Sequence, residues 1–302
     1  MKVVQISKPT EAEYNSCDHK DPDYPPKPST KPVHFGRWLP FLRSSSDYRV
    51  IELKAHETRL LKGINASAML TGTLSPSQLD DFNDFGIAQR IQLAIPELGS
   101  PVFARFDECS PKDGLHRMNP LRDTKMVLEQ ISTAPRTASA IEKMEVVTSV
   151  AGEPLRCPLY LLKWDTSMDG KREFRCFCNG SKLTGISQYE WHSFYHDWTG
   201  AAESIWRCAE VVLERILEFN EAVGDGCEEA LRRDGFVFDI LAKEVGAPAD
   251  EVAVEDVKVV EPNSFGSNSN CGSGLFHWVR DWEVLSGVAE PEFRICAKSD
   301  GV

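Results

Sequence analysis

The stretch "REFRCFCNGSKLTGISQ", residues 172–188, predicts the centre of a β-sheet. Two short runs of β-forming residues, "REFRCFC" and "KLTGISQ", are joined there by Asn179-Gly180. An Asn-Gly pair between two such runs favours a tight turn, because both residues adopt positive φ angles at little cost. The stretch is therefore interpreted as an antiparallel hairpin.

Further strands flank this hairpin on both sides. "PLYLLKWD" (158–165) precedes it, and "GFVFDILA" (235–242) and "VEDVKVVEPN" (254–263) follow it. Between them, "AAESIWRCAEVVLERILEFNEAV" (201–223) has apolar residues at helical spacing and is followed by Gly224, a helix stop. The pattern predicts an α+β fold with a mostly antiparallel central sheet flanked by helices.

The preceding half of the chain alternates strands and helices. Its residue pattern predicts strands in "DYRVIELK" (47–54) and "PVFARFD" (101–107). The same pattern predicts helices in "HETRLLKGI" (56–64), "SPSQLDDFNDFGIAQRI" (75–91), "TKMVLEQI" (124–131) and "PRTASAIEKM" (135–144). A break near residue 150, in "TSVAGEPLRCP", separates this half from the hairpin region. We therefore expect one lobe over residues 31–150 and a second over 151–302.

The first thirty residues are predicted to be a disordered tail. They include "DHKDPDYPPKPSTKP", which is rich in proline and charge and poor in apolar residues. Such a composition buries too little apolar surface to offset the entropy lost on ordering.

Composition limits the classes of function. The net charge of −12 over 302 residues argues against a surface that coats nucleic acid, so DNA is not expected as a partner and any RNA must be held by a local patch. No apolar run is long enough for a signal peptide or a membrane span. Nine cysteines without a CxxC pair favour reduced thiols in the cytoplasm, and no metal site is predicted.

Several charged residues interrupt otherwise apolar strands. Burying a charge is costly unless it is paired, so these residues are expected either to line one polar cleft or to form a few structural salt bridges. They are Lys163, Glu173, Arg175, Asp239 and Glu261. Glu173 and Arg175 lie two apart in a strand and therefore share a face.

The segment "DECSPKDG" (107–114) follows the "PVFARFD" strand with a dense set of reactive groups. Cys109, between Arg105 and Lys112, is a candidate nucleophile if those cations lower its pKa, or else a buried thiol. Ser110 is a second possible acceptor or a turn cap. Lys112 and Arg105 are candidates for binding an oxyanion or phosphate.

The two carboxylates of this segment have a second possible role. Asp107 and Asp113 are candidates for holding a guanidinium or for taking a proton from an α-amine, and otherwise for stabilising a turn. The candidate catalytic set is Asp107, Cys109, Ser110, Lys112 and Asp113.

A series of short motifs then suggests a family. Seven motifs resemble, in the same order, those of the eukaryotic cell-division-cycle ATP-grasp proteins that assemble translation initiation factor two. They are "WLPF", "KW" before the hairpin, "EFRCF", "GISQ", "FVFD", "E-x-N-x-FG" and "SGLFHW". The resemblance covers roughly residues 33–285. It implies a two-lobed ATP-grasp-like fold, with ATP and Mg²⁺ as possible ligands.

This chain departs from that family at its metal-binding positions. The family's Asp-x-Asn reads Glu261-Pro262-Asn263 here, and a later acidic position is Gly272. The family's Arg-Lys-Trp strand reads Leu162-Lys163-Trp164. Because Mg²⁺ needs carboxylate and phosphate oxygens, these changes bring ATP hydrolysis into question.

A second resemblance rests on "DECSPKDG" alone, which is similar to a motif of fungal arginine-containing cyclodipeptide synthases. It implies an enzyme of secondary metabolism that condenses arginyl-tRNA with a second aminoacyl-tRNA to a cyclic dipeptide and requires no cofactor, because the aminoacyl esters are already activated. This is the leading interpretation. The expected substrate-binding residues are Arg105, Lys163, Glu173, Arg175, Gln188, Asp239, Glu261 and Asn263.

Two alternatives remain open. One is an ATP-dependent ligase that keeps the nucleotide chemistry of its fold. The other is an ATP-binding assembly chaperone for a translation initiation factor.

Overall fold

The structure is a computed structural model that describes residues 1–7, 31–152, 155–192, 194, 198–242, 253–267, 269 and 271–298. The chain divides into two compact units. We call His34–Thr166 the three-stranded unit, and Met1–Val33 together with Ser167–Val302 the six-stranded unit.

The strands are β1 (Lys2–Ile6), β2 (Tyr48–Leu53), β3 (Val102–Phe106), β4 (Cys157–Lys163), β5 (Glu173–Asn179), β6 (Lys182–Gln188), β7 (Phe236–Ala242), β8 (Val257–Ser264) and β9 (Glu292–Cys296). The helices are α1 (Phe35–Leu42), α2 (Ala55–Thr71), α3 (Pro76–Asp84), α4 (Ile87–Leu98), α5 (Thr124–Thr133), α6 (Pro135–Ala151), α7 (Ala202–Val223), α8 (Cys227–Asp234) and α9 (Trp282–Leu285).

The three-stranded unit is an antiparallel sheet, in the order β2-β4-β3, with helices packed on it. Apolar side chains of the sheet and of α2 to α6 form one core, including Leu61, Phe82, Ile91, Ile131 and Leu159. The sheet places the end of β3, and therefore the "DECSPKDG" segment, next to the start of α1, where the Phe35 amide donates to the Asp107 carbonyl over 3.4 Å.

The six-stranded unit has the strand order β1-β9-β6-β5-β7-β8. β5 pairs antiparallel with β6 and with β7, and β7 pairs antiparallel with β8, whereas β9 pairs parallel with β1 and β6. The predicted hairpin is β5-β6, and Gly180 in its turn has a φ of 64°. The predicted α+β class with a mostly antiparallel central sheet is confirmed.

Three features of the fold differ from the sequence predictions. The helix predicted over 75–91 is two helices, because Gly86 adopts a φ of 70° between α3 and α4. β4 pairs with β2 and β3, so the first unit extends to Thr166 instead of ending at 150. Residues 2–6, expected within the tail of residues 1–30, form β1 at the edge of the six-stranded sheet.

The rest of the predicted tail, residues 8–30, lies outside the described residues. Within the described part of the chain, every helix is too short or too polar to cross a membrane.

Candidate functional site

Three charged side chains lie in a row across the six-stranded sheet. Arg175 on β5 is the direct partner of Asp239 on β7, and Asp239 is the direct partner of Glu261 on β8. Side chains of directly paired residues emerge on the same face of a sheet. We call these three residues the Arg175–Asp239–Glu261 row.

Arg175 and Asp239 form a two-pronged ion pair. The Nε of Arg175 donates to Oδ1 of Asp239 over 2.9 Å, and Nη2 donates to Oδ2 over 2.8 Å. Asp239 is fully buried and Arg175 is 8% exposed. Burial acts to lower the pKa of Arg175, but the charge and hydrogen bonds of Asp239, together with Cys271 and Tyr189, raise that pKa above its ordinary value.

Two further contacts hold the Arg175 guanidinium. Its Nη1 donates to the carbonyl of Gly272 over 2.6 Å, and its Cζ lies 4.9 Å from the centre of the Tyr189 ring. Tyr189 is not among the residues predicted from the sequence, although it directly follows the "GISQ" motif. Gly272, where the resembling family has an acidic residue, contacts the site through its backbone.

Asn263 completes this cluster from β8. Its Nδ2 donates to Oδ2 of Asp239 over 3.2 Å. The pairing of β7 with β8 shifts register between Asp239 and Ile240, an irregularity of the kind that redirects side chains near functional sites. Among the described residues, no three His, Cys, Asp or Glu side chains group as a metal site, but Asp239, Glu261 and Asn263 bring two carboxylates and an amide together.

The other predicted substrate-binding residues are placed differently. Glu173 is buried on β5, two positions from Arg175. Gln188 is the partner of Phe174 and so faces the side opposite to Arg175; its Nε2 donates to the Glu190 carbonyl, and its Oε1 accepts from the Cys296 amide. Lys163 ends β4 in the three-stranded unit, with its side chain exposed. The structure thus brings together Arg175, Asp239, Glu261 and Asn263 from the predicted set.

In the three-stranded unit, Asp107 caps a helix. Its Oδ1 accepts from the Gly36 amide over 2.7 Å and from the Tyr160 hydroxyl over 2.9 Å. Gly36 lies in the first turn of α1, where a carboxylate satisfies free amide groups and stabilises the helix dipole. A Cβ on Gly36 would overlap the Tyr160 hydroxyl, so this close approach requires glycine.

The rest of "DECSPKDG" is anchored in the same way. Oδ2 of Asp113 accepts from the Arg136 amide over 3.2 Å, in the first turn of α6. The side chain of Gln130 donates to the carbonyls of Pro111 and Arg117 and accepts from the His116 amide. This segment therefore joins the starts of two helices to the end of β3.

Burial raises the pKa of Cys109 to about 12, an effect that Arg105 and Arg136 offset only in part. Of the two alternatives for Cys109, a nucleophile with a lowered pKa is not supported, because desolvation of the thiolate exceeds the attraction of nearby cations.

The neighbouring side chains have structural contacts. Cys109 Sγ donates to the Arg136 carbonyl over 3.4 Å. The Arg105 guanidinium lies 3.8 Å from the centre of the Phe35 ring. Ser110 is buried, and its carbonyl accepts from the amide of Lys112, whose side chain is half-buried.

Residues 71–302 match the D123 family. A CDC123-like protein (L884) of Acanthamoeba polyphaga mimivirus is 24% identical over 86% of this chain and 73% of its own length. A translation initiation factor eIF2 assembly protein of Xenopus laevis is 25% identical over 66% of this chain and 53% of its own length.

Solved structures show a common fold. Cdc123 from Schizosaccharomyces pombe matches 98% of this chain and all of its own, with a TM-score of 0.63 and 18% identity. A C-terminally truncated form of the same protein gives a TM-score of 0.62 and 17% identity. The fold expected from the ordered motifs is therefore confirmed.

These matches show that the cyclodipeptide synthase interpretation is wrong. Relatives over most of the chain are eIF2 assembly proteins, so neither the aminoacyl transferase activity in secondary metabolism nor arginyl-tRNA and a second aminoacyl-tRNA as partners is supported. The interpretation rested on eight residues. Two of these residues, Asp107 and Asp113, accept hydrogen bonds from amides in the first turns of helices. A carboxylate that caps a helix cannot be told in sequence from one that takes part in acid–base chemistry.

We expect Tyr160→Phe to destabilise the protein by about 1.5 kcal/mol, since the hydrogen bond it removes has a charged acceptor, Asp107. Urea denaturation measures this loss. Tyr48→Phe is the control, because the Tyr48 hydroxyl has no hydrogen bond within the described residues and its loss should change stability by less than about 0.5 kcal/mol. Equal effects of the two substitutions would show that the hydrogen bond from Tyr160 to Asp107 does not stabilise the fold.

We also expect Cys109 to react slowly with iodoacetamide in the native protein. A pKa of about 12 against an ordinary 9.0 lowers the thiolate fraction near pH 8 by about 1,000-fold. Reactivity should rise about tenfold per pH unit up to that pKa, since only the thiolate reacts. Mass spectrometry of digested protein, with the urea-unfolded chain as the control, measures the rate. A native rate equal to the unfolded rate at pH 8 would show that the pKa of this half-buried thiol is not raised.

Proposed function

This chain belongs to the D123 family, and from that premise we propose that it is an assembly factor for translation initiation factor eIF2. The observation that carries the proposal is that the family match over residues 71–302 includes every residue of the Arg175–Asp239–Glu261 row. Proteins of Xenopus named for eIF2 assembly are relatives over 66% and 70% of the chain. The partners are then the subunits of eIF2, and the place of action is the cytoplasm.

We further propose that the six-stranded unit binds a nucleotide with a divalent cation. The donor chemistry fits Mg²⁺, which prefers oxygen ligands and combines one or two carboxylates with phosphate oxygens. Glu261, Asn263 and Asp239 would hold the cation. When bound, the cation would neutralise phosphate charge. Gly272 supplies no carboxylate, so this set has fewer acidic ligands than the sequence of the resembling family implies.

The contacts of the loop at the end of β3 also fit an assembly factor better than an enzyme that transfers a chemical group. Its carboxylates hold two helices in place, and the pKa of its thiol is raised. An assembly factor requires a binding surface and needs no nucleophile.

The test is reconstitution of eIF2 from separately purified subunits, with native mass spectrometry measuring the complete complex. We expect the chain to increase the yield several-fold and to bind at least one subunit. Glu261→Gln should lower that gain, because it removes a proposed cation ligand. Glu214→Gln, at an exposed position on α7, is the matched control and should act like the wild type.

Two results would contradict the proposal. One is failure to bind any eIF2 subunit. The other is unchanged assembly yield when the chain is present at equal concentration with the subunits.

A further inference from the structure

Strand β2 forms one edge of the three-stranded sheet. It pairs on one side with β4, and within the described part of the chain no strand pairs with its other side. An edge strand presents N–H and C=O groups to which another chain can add a strand. The solution state of the protein therefore depends on how this edge is closed, whether or not the protein assembles eIF2.

The backbone groups of Tyr48, Val50 and Glu52 point to the open side of β2. The Lys163 amide donates to the Asp47 carbonyl over 2.8 Å, so residue 47 and every second residue after it face β4. The residues between them face away from β4. Val50 lies in the middle of this set, and its side chain is 42% exposed, so the middle of the edge is accessible.

Two arginines occupy the outward carbonyls on either side of Val50. Nη1 of Arg49 donates to the Tyr48 carbonyl over 2.7 Å. Nη1 of Arg90 donates to the Glu52 carbonyl over 2.8 Å. Each bond has a charged donor, which makes it stronger than a bond between neutral groups. A strand added at this edge would have to displace both arginines.

Ion pairs fix both guanidiniums at the edge. Nε of Arg49 lies 2.6 Å from Oε2 of Glu97, and Nη2 of Arg90 lies 2.6 Å from Oε1 of Glu57. Arg90 and Glu97 are seven residues apart on α4, about 10 Å along its axis. Their contacts on β2, at residues 49 and 52, are also about 10 Å apart along the strand. Helix α4 therefore has the spacing that serves both ends of the edge.

The edge is complementary to a second copy of itself. A two-fold axis at Val50 would pair Val50 with its counterpart, and Tyr48 with Glu52 of the other copy. In that register the outward carbonyls of β2 are the acceptors, and the arginines occupy two of those three. Two exposed β-branched side chains would meet at the axis, which is a favourable cross-strand pair.

We propose that Arg49 and Arg90 close the edge of β2 against strand pairing with a second copy of this chain. Each arginine holds a carbonyl that the second copy needs as an acceptor. Loss of both would leave a self-complementary edge with an accessible apolar centre at Val50.

The test is sedimentation equilibrium of the full chain, which measures self-association against protein concentration. The open-edge variant combines Arg49→Met and Arg90→Met with Glu57→Gln, because the buried Glu57 carboxylate would otherwise lose its partner. We expect it to self-associate at least tenfold more tightly than the wild type. Arg59→Met combined with Arg122→Met is the matched control, since it removes two exposed arginines of the same unit, and should behave like the wild type.

A second substitution shows whether association occurs through β2. Val50→Pro in the open-edge variant removes an N–H that faces away from β4, so it blocks strand addition and leaves the bonds to β4 in place. We expect it to abolish the self-association. Val50→Thr keeps the N–H and should leave the self-association unchanged. Where Val50→Pro does not fold, Val50→Lys replaces it, because a charge at the centre of an edge also opposes pairing.

Circular dichroism establishes that each variant is folded. If the open-edge variant does not fold, Arg49→Met alone decides, because it frees the Tyr48 carbonyl and its ion-pair partner Glu97 is exposed. A folded variant that associates no more than the wild type overturns the proposal. Self-association that persists with Val50→Pro also overturns it, as does self-association of the wild type that Val50→Pro abolishes.

Discussion

The buried ion pair between Arg175 and Asp239 is the constraint on which the rest of the six-stranded unit depends. Both groups are taken out of water, and each is tolerated only because the other is aligned with it through two hydrogen bonds. That alignment fixes the register of β5 against β7, since a slip by one residue would turn one of the charges to the opposite face of the sheet. The pairing of β7 with β8 then sets Glu261 beside Asp239, and the guanidinium draws the Gly272 carbonyl to the same place.

The two polar clusters of the chain contain similar residues and serve different purposes. In "DECSPKDG", Asp107 and Asp113 accept from backbone amides at the starts of α1 and α6, so their bonding capacity supports the fold. In the row across the six-stranded sheet, Arg175 and Asp239 instead pair through their side chains, and Arg175 also donates to the Gly272 carbonyl. Oxygen ligands and a fixed positive charge are brought together there, which is the combination that suits phosphate with a divalent cation.

The sequence was sufficient for the local elements and for much of the row. The Asn179-Gly180 turn predicted the hairpin. Charges inside apolar strands drew attention to Arg175 and Asp239, which form an ion pair, because a charge in a buried strand needs a partner. The sequence was insufficient where a strand's partner is distant along the chain, or where burial determines the pKa of a side chain. β1 is a strand only because β9, at the other end of the sequence, pairs with it. The pKa of Cys109 depends on burial that no spacing reveals, and a carboxylate that caps a helix has the same sequence signature as one that takes a proton.

We propose that this D123-family chain binds a nucleotide and a divalent cation at the Arg175–Asp239–Glu261 row. A crystal structure of the chain with Mg²⁺ and a non-hydrolysable ATP analogue tests it most directly. We expect the cation beside Glu261, Asn263 and Asp239, with phosphate oxygens of the nucleotide among its ligands and Arg175 still paired with Asp239. Nucleotide bound away from β7 and β8, or Arg175 displaced from Asp239, would contradict it.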